Sequence, residues 1–430
     1  MPNSHTLFCH ASGKFIEDNG TLLRNPEAPS DALLTSHFEH RRFSPGPPAL
    51  DFYRFDFWLP VTRRLAGSHA PITYKSKKLA QYLGLSNLYV TFSGYWPERG
   101  IEMLTGTFKE CEAFSVCARL PENAGTLVVA SAGNTARAFA HVCSRNHLPL
   151  LLVIPEANLE ALWQPEPLHP CVRVVAVGGD SDYADAIRVA EEIASLPGFL
   201  PEGGARNVAR RDGMATTVLS AVERIGRIPD YYFQAVGSGT GAIAAMEANE
   251  RLIRDGRYGD HYMKLVVSQN APFQPIFDSW RAGTRELVGY EEEDAKRRIR
   301  GLHARVLANR NAPYSVRGGL YDALRRASGD VLVCDNESAR NAGALFTELE
   351  EIDPSPAASV AIASLIQAVE AGSVARDAVI MLNITGGGFA GLERRRNRVQ
   401  VEPDIVLGPN ETRPDIIAER FGHKDALTNA

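Results

Sequence analysis

An α/β fold of two mostly parallel, open-sheet domains is the class the sequence predicts, on three observations. From Ile72 onward short β-rich runs alternate with helix-like stretches; the runs are predominantly apolar; and 430 residues is room for roughly two or three globular units. Strands alternating with helical patterns imply parallel sheets, and runs with no polar face imply burial on both sides between helical layers.

Taken in order, residues 1 to about 60 are rich in Pro, Ser, His and aromatics without sustained periodicity, and read as an irregular N-terminal segment. The strand-like runs follow: Leu88 to Thr91, Thr126 to Ala130, Leu150 to Ile154, Val172 to Val177, Tyr231 to Val236, Lys264 to Ser268, Asp330 to Cys334 and Ala378 to Ile384. Residues 403–430 are polar and Pro-containing, and read as a loosely attached tail.

Composition narrows function by exclusion. With 46 basic and 51 acidic residues the net charge is −5, so no global field draws nucleic acid or an anionic membrane, and any anion site has to be local. The basic run Arg394-Arg395-Arg396-Asn397-Arg398 reads as solvated surface. Six cysteines (Cys9, Cys111, Cys117, Cys143, Cys171 and Cys334) include no Cys-x-x-Cys pair, which fits neither a disulfide scaffold nor a zinc ribbon and points to a reducing cytoplasm. The start, Met1-Pro2-Asn3-Ser4-His5, lacks the basic and apolar regions of a leader, and the apolar run Leu148 to Ile154 is too short to span a bilayer.

Four motifs carry chemistry. Gly237-Ser238-Gly239-Thr240-Gly241 follows a strand-like run and precedes a small-residue helix, a context in which consecutive N–H groups converge on one anion. A phosphate site, a dinucleotide turn and a plain tight turn all remain open, although no Gly-Lys-Ser/Thr follows and the glycine spacing departs from Gly-x-Gly-x-x-Gly. Ser131-Ala132-Gly133-Asn134-Thr135 also joins a strand to a helix, and offers either several donors to an oxyanion or an ordinary helix cap. Lys109, in Thr105-Gly106-Thr107-Phe108-Lys109-Glu110, sits one turn into a helix beginning after Gly106. It is either a solvated charge or, in an apolar cleft, an imine-forming nucleophile. Thr385-Gly386-Gly387-Gly388 ends the last strand with a hydroxyl and a glycine run.

In that order the four motifs resemble those of the fold type II pyridoxal-phosphate (PLP) enzymes, the tryptophan-synthase β-like family, and Gly106-Thr107-Phe108-Lys109-Glu110 is similar to the lysine motif of its threonine-synthase-like group. The resemblance implies a large PLP-binding domain from 61–115 plus 216–402, a small domain from 116–215 carrying the Asn loop, and PLP in the cleft between them. It implies Lys109 as the Schiff-base lysine, Asn134 beside the cofactor's phenolic oxygen, Gly237, Ser238, Gly239, Thr240 and Gly241 around its phosphate, and Thr385 at its ring nitrogen. Ser131 and Thr135 would hold the substrate carboxylate. A homodimer is the family habit.

Three further stretches, Gly94-Tyr95-Trp96-Pro97-Glu98-Arg99-Gly100, residues 202–213 from Glu202-Gly203-Gly204 to Arg211-Asp212-Gly213, and residues 233–241, are similar to threonine-synthase paralogues that join O-phospho-L-serine to sulfite. They imply β-replacement giving L-cysteate and phosphate. Two anionic substrates need local cations, for which Arg206, Arg210 and Arg211 are the candidates, with Arg99 and Lys75 behind them. The paralogues carry an N-terminal cysteine ribbon of which only Cys9-His10-Ala11-Ser12-Gly13 stands here, with Asn25-Pro26-Glu27 where a second pair would fall, so no structural metal is expected. A threonine synthase acting on O-phosphohomoserine stays open, because one methylene is worth only about 1–3 kcal/mol of discrimination. Another nucleophile on O-phosphoserine stays open too, as does an inactive PLP-binding subunit, against which the retained Lys109, Asn134 and Thr385 argue.

Overall fold

The computed structural model describes residues 4–131 and 133–421 of the chain. A six-stranded sheet runs in the order Asp330–Cys334, Lys264–Asn270, Tyr231–Ala235, Val379–Ile384, Asn87–Phe92, Ile72–Lys75, parallel except for the last, antiparallel edge strand. A five-stranded, wholly parallel sheet runs Phe199–Pro201, Thr126–Ala130, Leu150–Pro155, Val172–Val177, Ile405–Leu407. Every run expected as a strand lies in one of these two sheets.

Alternate residues of a strand face opposite sides, and here both sides are apolar cores. Phe233, Ile380 and Leu382 join the core beneath the helix Pro356–Glu370, whereas Tyr232, Met381, Leu265 and Val267 join the core with Val218 and Ile243 of the helices Val208–Ile225 and Thr240–Asp255. In the smaller sheet Leu150, Leu152 and Ile154 pack toward Phe139 and Val142, while Leu151 and Val153 pack toward Val189 and Ile193 of the helix Tyr183–Ala194. That two-sided burial is why the runs show no polar alternation.

Two expectations are corrected. The N-terminal segment is not irregular throughout: His5–Cys9 pairs antiparallel with Phe15–Glu17 and with Leu34–Phe38, and the 3-10 turns of Pro48–Trp58 bury Phe52, Tyr53, Phe55 and Trp58. The tail is not loose up to Phe421, because Ile405–Leu407 completes the smaller sheet beside Val175–Val177 and the helix Pro414–Phe421 sets Ile417 and Phe421 into the core with Val189 and Ile193. Residues 422–430 lie outside the described residues. Strands of three to five residues are too short to show a period, which is why neither was read as regular structure. Among the described residues no helix is long and apolar enough to cross a membrane.

Candidate active site

Three of the motifs leave the carboxyl ends of parallel strands, where open α/β sheets bind ligands. Gly237-Ser238-Gly239 follows Tyr231–Ala235, Thr385 follows the neighbouring Val379–Ile384, and Ser131 follows Thr126–Ala130 of the other sheet. The stretch Val306-Leu307 lies between two of these loops. A Cβ on Gly133 would stand 3.6 Å from Val306 Cγ1, and one on Gly237 would stand 2.9 Å from the Leu307 carbonyl oxygen.

The lysine turn is tied to the glycine run after the last strand. Phe108 N–H donates to the Thr385 carbonyl at 3.0 Å, and Gly387 N–H donates to the Gly106 carbonyl at 3.0 Å. Gly106 has a φ of +72°, and a Cβ there would collide with the Phe389 ring at 2.4 Å, so this turn is available to glycine alone. The helix Lys109–Arg119 starts at Lys109 itself rather than a turn earlier, which fixes the side chain at the helix N-terminus.

Lys109 is not solvated. Its side chain is 20% exposed, and Nζ donates to Glu112 Oε2 at 3.0 Å, one turn along the helix, where the Glu112 side chain is fully buried. Arg210 Nη2 donates to Glu112 Oε1 at 2.8 Å, and the Thr135 hydroxyl donates to the same oxygen at 2.9 Å. Arg210 Nε forms an ion pair with Glu202 Oε1 at 3.3 Å, yet neither atom has an aligned hydrogen-bond partner among the described residues. Burial pulls the Lys109 amine below the ordinary lysine range against the opposing pull of Glu112. Burial also pushes Glu202 up, against Arg210. Glu112 is held low because Arg210 and Lys109 together outweigh its burial.

Asn134 opens the helix Asn134–Arg145, and its Oδ1 accepts from Arg137 Nη2 at 2.8 Å. That bond turns the amide NH2 away from Arg137 and leaves it free to donate. Arg137 also donates to the Thr105 carbonyl at 3.0 and 3.1 Å, joining the asparagine loop to the lysine turn, and stacks on Trp163 at 4.4 Å. Ser131 Oγ accepts from Gly133 N–H at 3.2 Å; Ala132 between them lies outside the described residues. In the glycine loop Gly239 has a φ of +77° and the Ser238 and Thr240 hydroxyls are 2.8 Å apart. Thr240 begins a helix of 16 residues whose dipole favours an anion at this end.

Of the three candidate arginines only Arg210 meets Lys109's surroundings. Arg206 pairs with Asp31 at 2.6 Å on the surface, and Arg211 is buried against Glu247 at 2.9 Å and the Leu34 carbonyl. Residues 210 and 211 are about 100° apart around a helix, so neighbours in sequence cannot share a face. Arg99 stacks between Tyr74 and Trp96, and Lys75 donates to Asn87 at an exposed edge, so neither belongs to this cluster. Glu112, Glu202 and Arg137 were not among the residues expected. The spacing Lys109 to Glu112 and Asn134 to Arg137, three residues on a helix in both cases, is the signal that could have found two of them.

The residues present suit a phosphate-bearing aldehyde cofactor: a buried amine able to be neutral, an amide donor held in one orientation, and a glycine turn at a helix N-terminus that a Cβ would block. The family model described as "Pyridoxal-phosphate dependent enzyme" matches residues 98–386. A cysteate synthase of Methanosarcina acetivorans is 49% identical over 86% of this chain and 88% of its own length, and one of Methanoculleus marisnigri is 47% identical over 96% of this chain and 95% of its own. Among solved structures a fungal L-serine ammonia-lyase from Rhizomucor miehei superposes with a TM-score of 0.56 at 13% identity, covering 76% of this chain and 96% of the other. Serine racemase from Dictyostelium discoideum gives 0.53 at 15%, over 74% and 92%. These structural likenesses concern the fold.

Proposed function

The chain belongs to the pyridoxal-phosphate-dependent enzyme family, and from that premise we propose that it replaces the phosphate of O-phospho-L-serine with sulfite to release L-cysteate and phosphate. The observation that carries the reading is Lys109 itself, a buried amine on a carboxylate–arginine cluster beside loops suited to an anionic cofactor.

When bound between the two sheets, pyridoxal phosphate supplies the electron sink that makes an amino acid's Cα proton removable. Lys109 is the residue that would hold it, and the same amine, whose proton affinity burial lowers, would take the Cα proton. Gly237 to Gly241 would hold the phosphate through main-chain N–H groups. The Asn134 amide would donate to the phenolic oxygen, and Thr385 would meet the ring nitrogen with a neutral hydroxyl. Ser131 and the main-chain N–H of Thr135, at the start of the asparagine helix, would hold the substrate carboxylate, because the Thr135 hydroxyl is already donated to Glu112. Arg210 keeps Nη2 on Glu112 and Nε against Glu202, and as the one candidate arginine in the Lys109 cluster it would be the cation that meets the substrate's anionic group.

All six cysteines are free thiols, which supports a cytoplasmic setting, and a homodimer follows the commonest symmetry, checked by sedimentation. The test of function is a product assay on the PLP-loaded protein with O-phospho-L-serine and sulfite. L-cysteate and phosphate in equal amounts support the reading. Turnover of O-phosphohomoserine instead would make it a threonine synthase, and no turnover of any phosphoamino acid would make it a binding subunit.

A further inference from the structure

We propose that Glu112 is a positioning residue for Lys109, its carboxylate aiming the amine and carrying its positive charge whenever that nitrogen is protonated. The inference rests on Lys109 being the cofactor lysine and goes beyond that assignment to the group that governs it.

Glu112 is fully buried, and both its oxygens are used. Oε2 accepts from Lys109 Nζ at 3.0 Å; Oε1 accepts from Arg210 Nη2 at 2.8 Å and from the Thr135 hydroxyl at 2.9 Å. A carboxylate anchored on one oxygen by two donors from two other helices has one oxygen left, and it points at the amine. The fixed geometry matters because a lysine side chain has four rotatable bonds, and a single charge-assisted hydrogen bond selects one direction among many.

The charged and titratable groups of this cluster come from four elements, Tyr183 facing Arg210, Glu202 and Glu112. Glu112 lies on the lysine helix, Arg210 on the helix Val208–Ile225, Glu202 on the turn after Phe199–Pro201, and Tyr183 at the start of the helix Tyr183–Ala194. With Lys109 protonated the cluster holds two cations, Lys109 and Arg210, and two carboxylates, Glu112 and Glu202. Arg210 opposes a proton on Lys109, and Glu112 favours one, at hydrogen-bond distance. Replacing Glu112 with a neutral amide therefore leaves Arg210 opposed there by Glu202 alone, which makes no hydrogen bond to the amine. The sign is the same for the free amine and for the nitrogen joined to the cofactor.

The test is a pH titration of the visible absorbance band of the PLP-loaded protein, with and without Glu112→Gln. It needs no substrate, so it stands apart from the question of which reaction is catalysed. The pH at which the band changes is expected to fall by about 1–3 units in E112Q, the range for losing a charge partner at this distance. In steady state kcat falls by about 10-fold or more while KM for O-phospho-L-serine moves little. An E112Q protein with the wild-type band pH overturns the proposal. If E112Q does not fold or load, Glu112→Asp is read instead: a smaller fall in band pH with partly restored kcat supports the proposal, and wild-type values for both overturn it. A cofactor mapped to another lysine would defeat the Lys109 assignment, whereas a cofactor on Lys109 with an unmoved band defeats only the role of Glu112.

Discussion

The helix Lys109–Arg119 carries a buried ionic cluster at each end, and the two are built differently. At the far end Arg119 donates to Asp18 at 2.9 and 2.5 Å, to Asn207 Oδ1 at 3.1 Å and to the Leu22 carbonyl at 3.1 Å. His5 Nε2 stands 3.0 Å from the same aspartate. At the near end Lys109, Glu112, Arg210 and Glu202 bring together the same kinds of group, yet Arg210 Nε and Glu202 Oε1 lack aligned partners among the described residues. Those two atoms face each other at 3.3 Å in a poorly aligned ion pair, so the near cluster is less completely hydrogen-bonded than the far one. The Arg119 cluster fastens the N-terminal sheet to the helix; the Lys109 cluster, under the proposed function, holds the amine that would carry the cofactor.

The sharpest way to break the contrast is at the lysine. Lys109→Ala is expected to lower kcat by at least about 10²–10⁴-fold, with thermal stability near that of the wild type, measured by product assay and calorimetry. At the other end Asp18→Asn should do the reverse: a loss of about 3–5 kcal/mol in urea unfolding, because it strands a buried guanidinium, with kcat per folded molecule unchanged. Activity lost in D18N at full stability would erase the distinction between the ends.

The same aspartate makes a pH prediction. Burial alone would raise its carboxyl, but His5 and Arg119 hold it far below the ordinary range. A folded-state pKa below the unfolded one gives stability that is fully present above the ordinary carboxylate value and lost as pH falls through it toward the depressed one. Wild-type stability should therefore drop more steeply than that of D18N between about pH 5 and pH 3.

Smaller effects sharpen the near end. Arg210→Gln is expected to raise KM for O-phospho-L-serine by about 10- to 100-fold, the worth of a hydrogen bond to a charged group. Thr135→Val, which removes one donor from Glu112, should cost about 0.5–1.5 kcal/mol in stability or in kcat/KM.

How legible these ends were depended on length and periodicity. Val379–Ile384 and Leu150–Pro155 are buried at every position, so an unbroken apolar run announced each of them. His5–Cys9 and Ile405–Leu407 bury only part of a short strand, and their pairing is decided by partners far away in sequence, Leu34–Phe38 and Val175–Val177. At the site, Lys109, Asn134 and the glycine loop stood out because their motifs are local. Choosing among Arg206, Arg210 and Arg211 needed the rotation of one helix relative to Glu112 and Glu247, which no motif contains.

The most direct measurement is borohydride reduction of the PLP-loaded protein followed by peptide mapping. The cofactor should be found on the peptide containing Lys109, and its absence from K109A should be complete. A reduced cofactor on any other lysine would contradict the assignment of the near end of this helix as the reactive one.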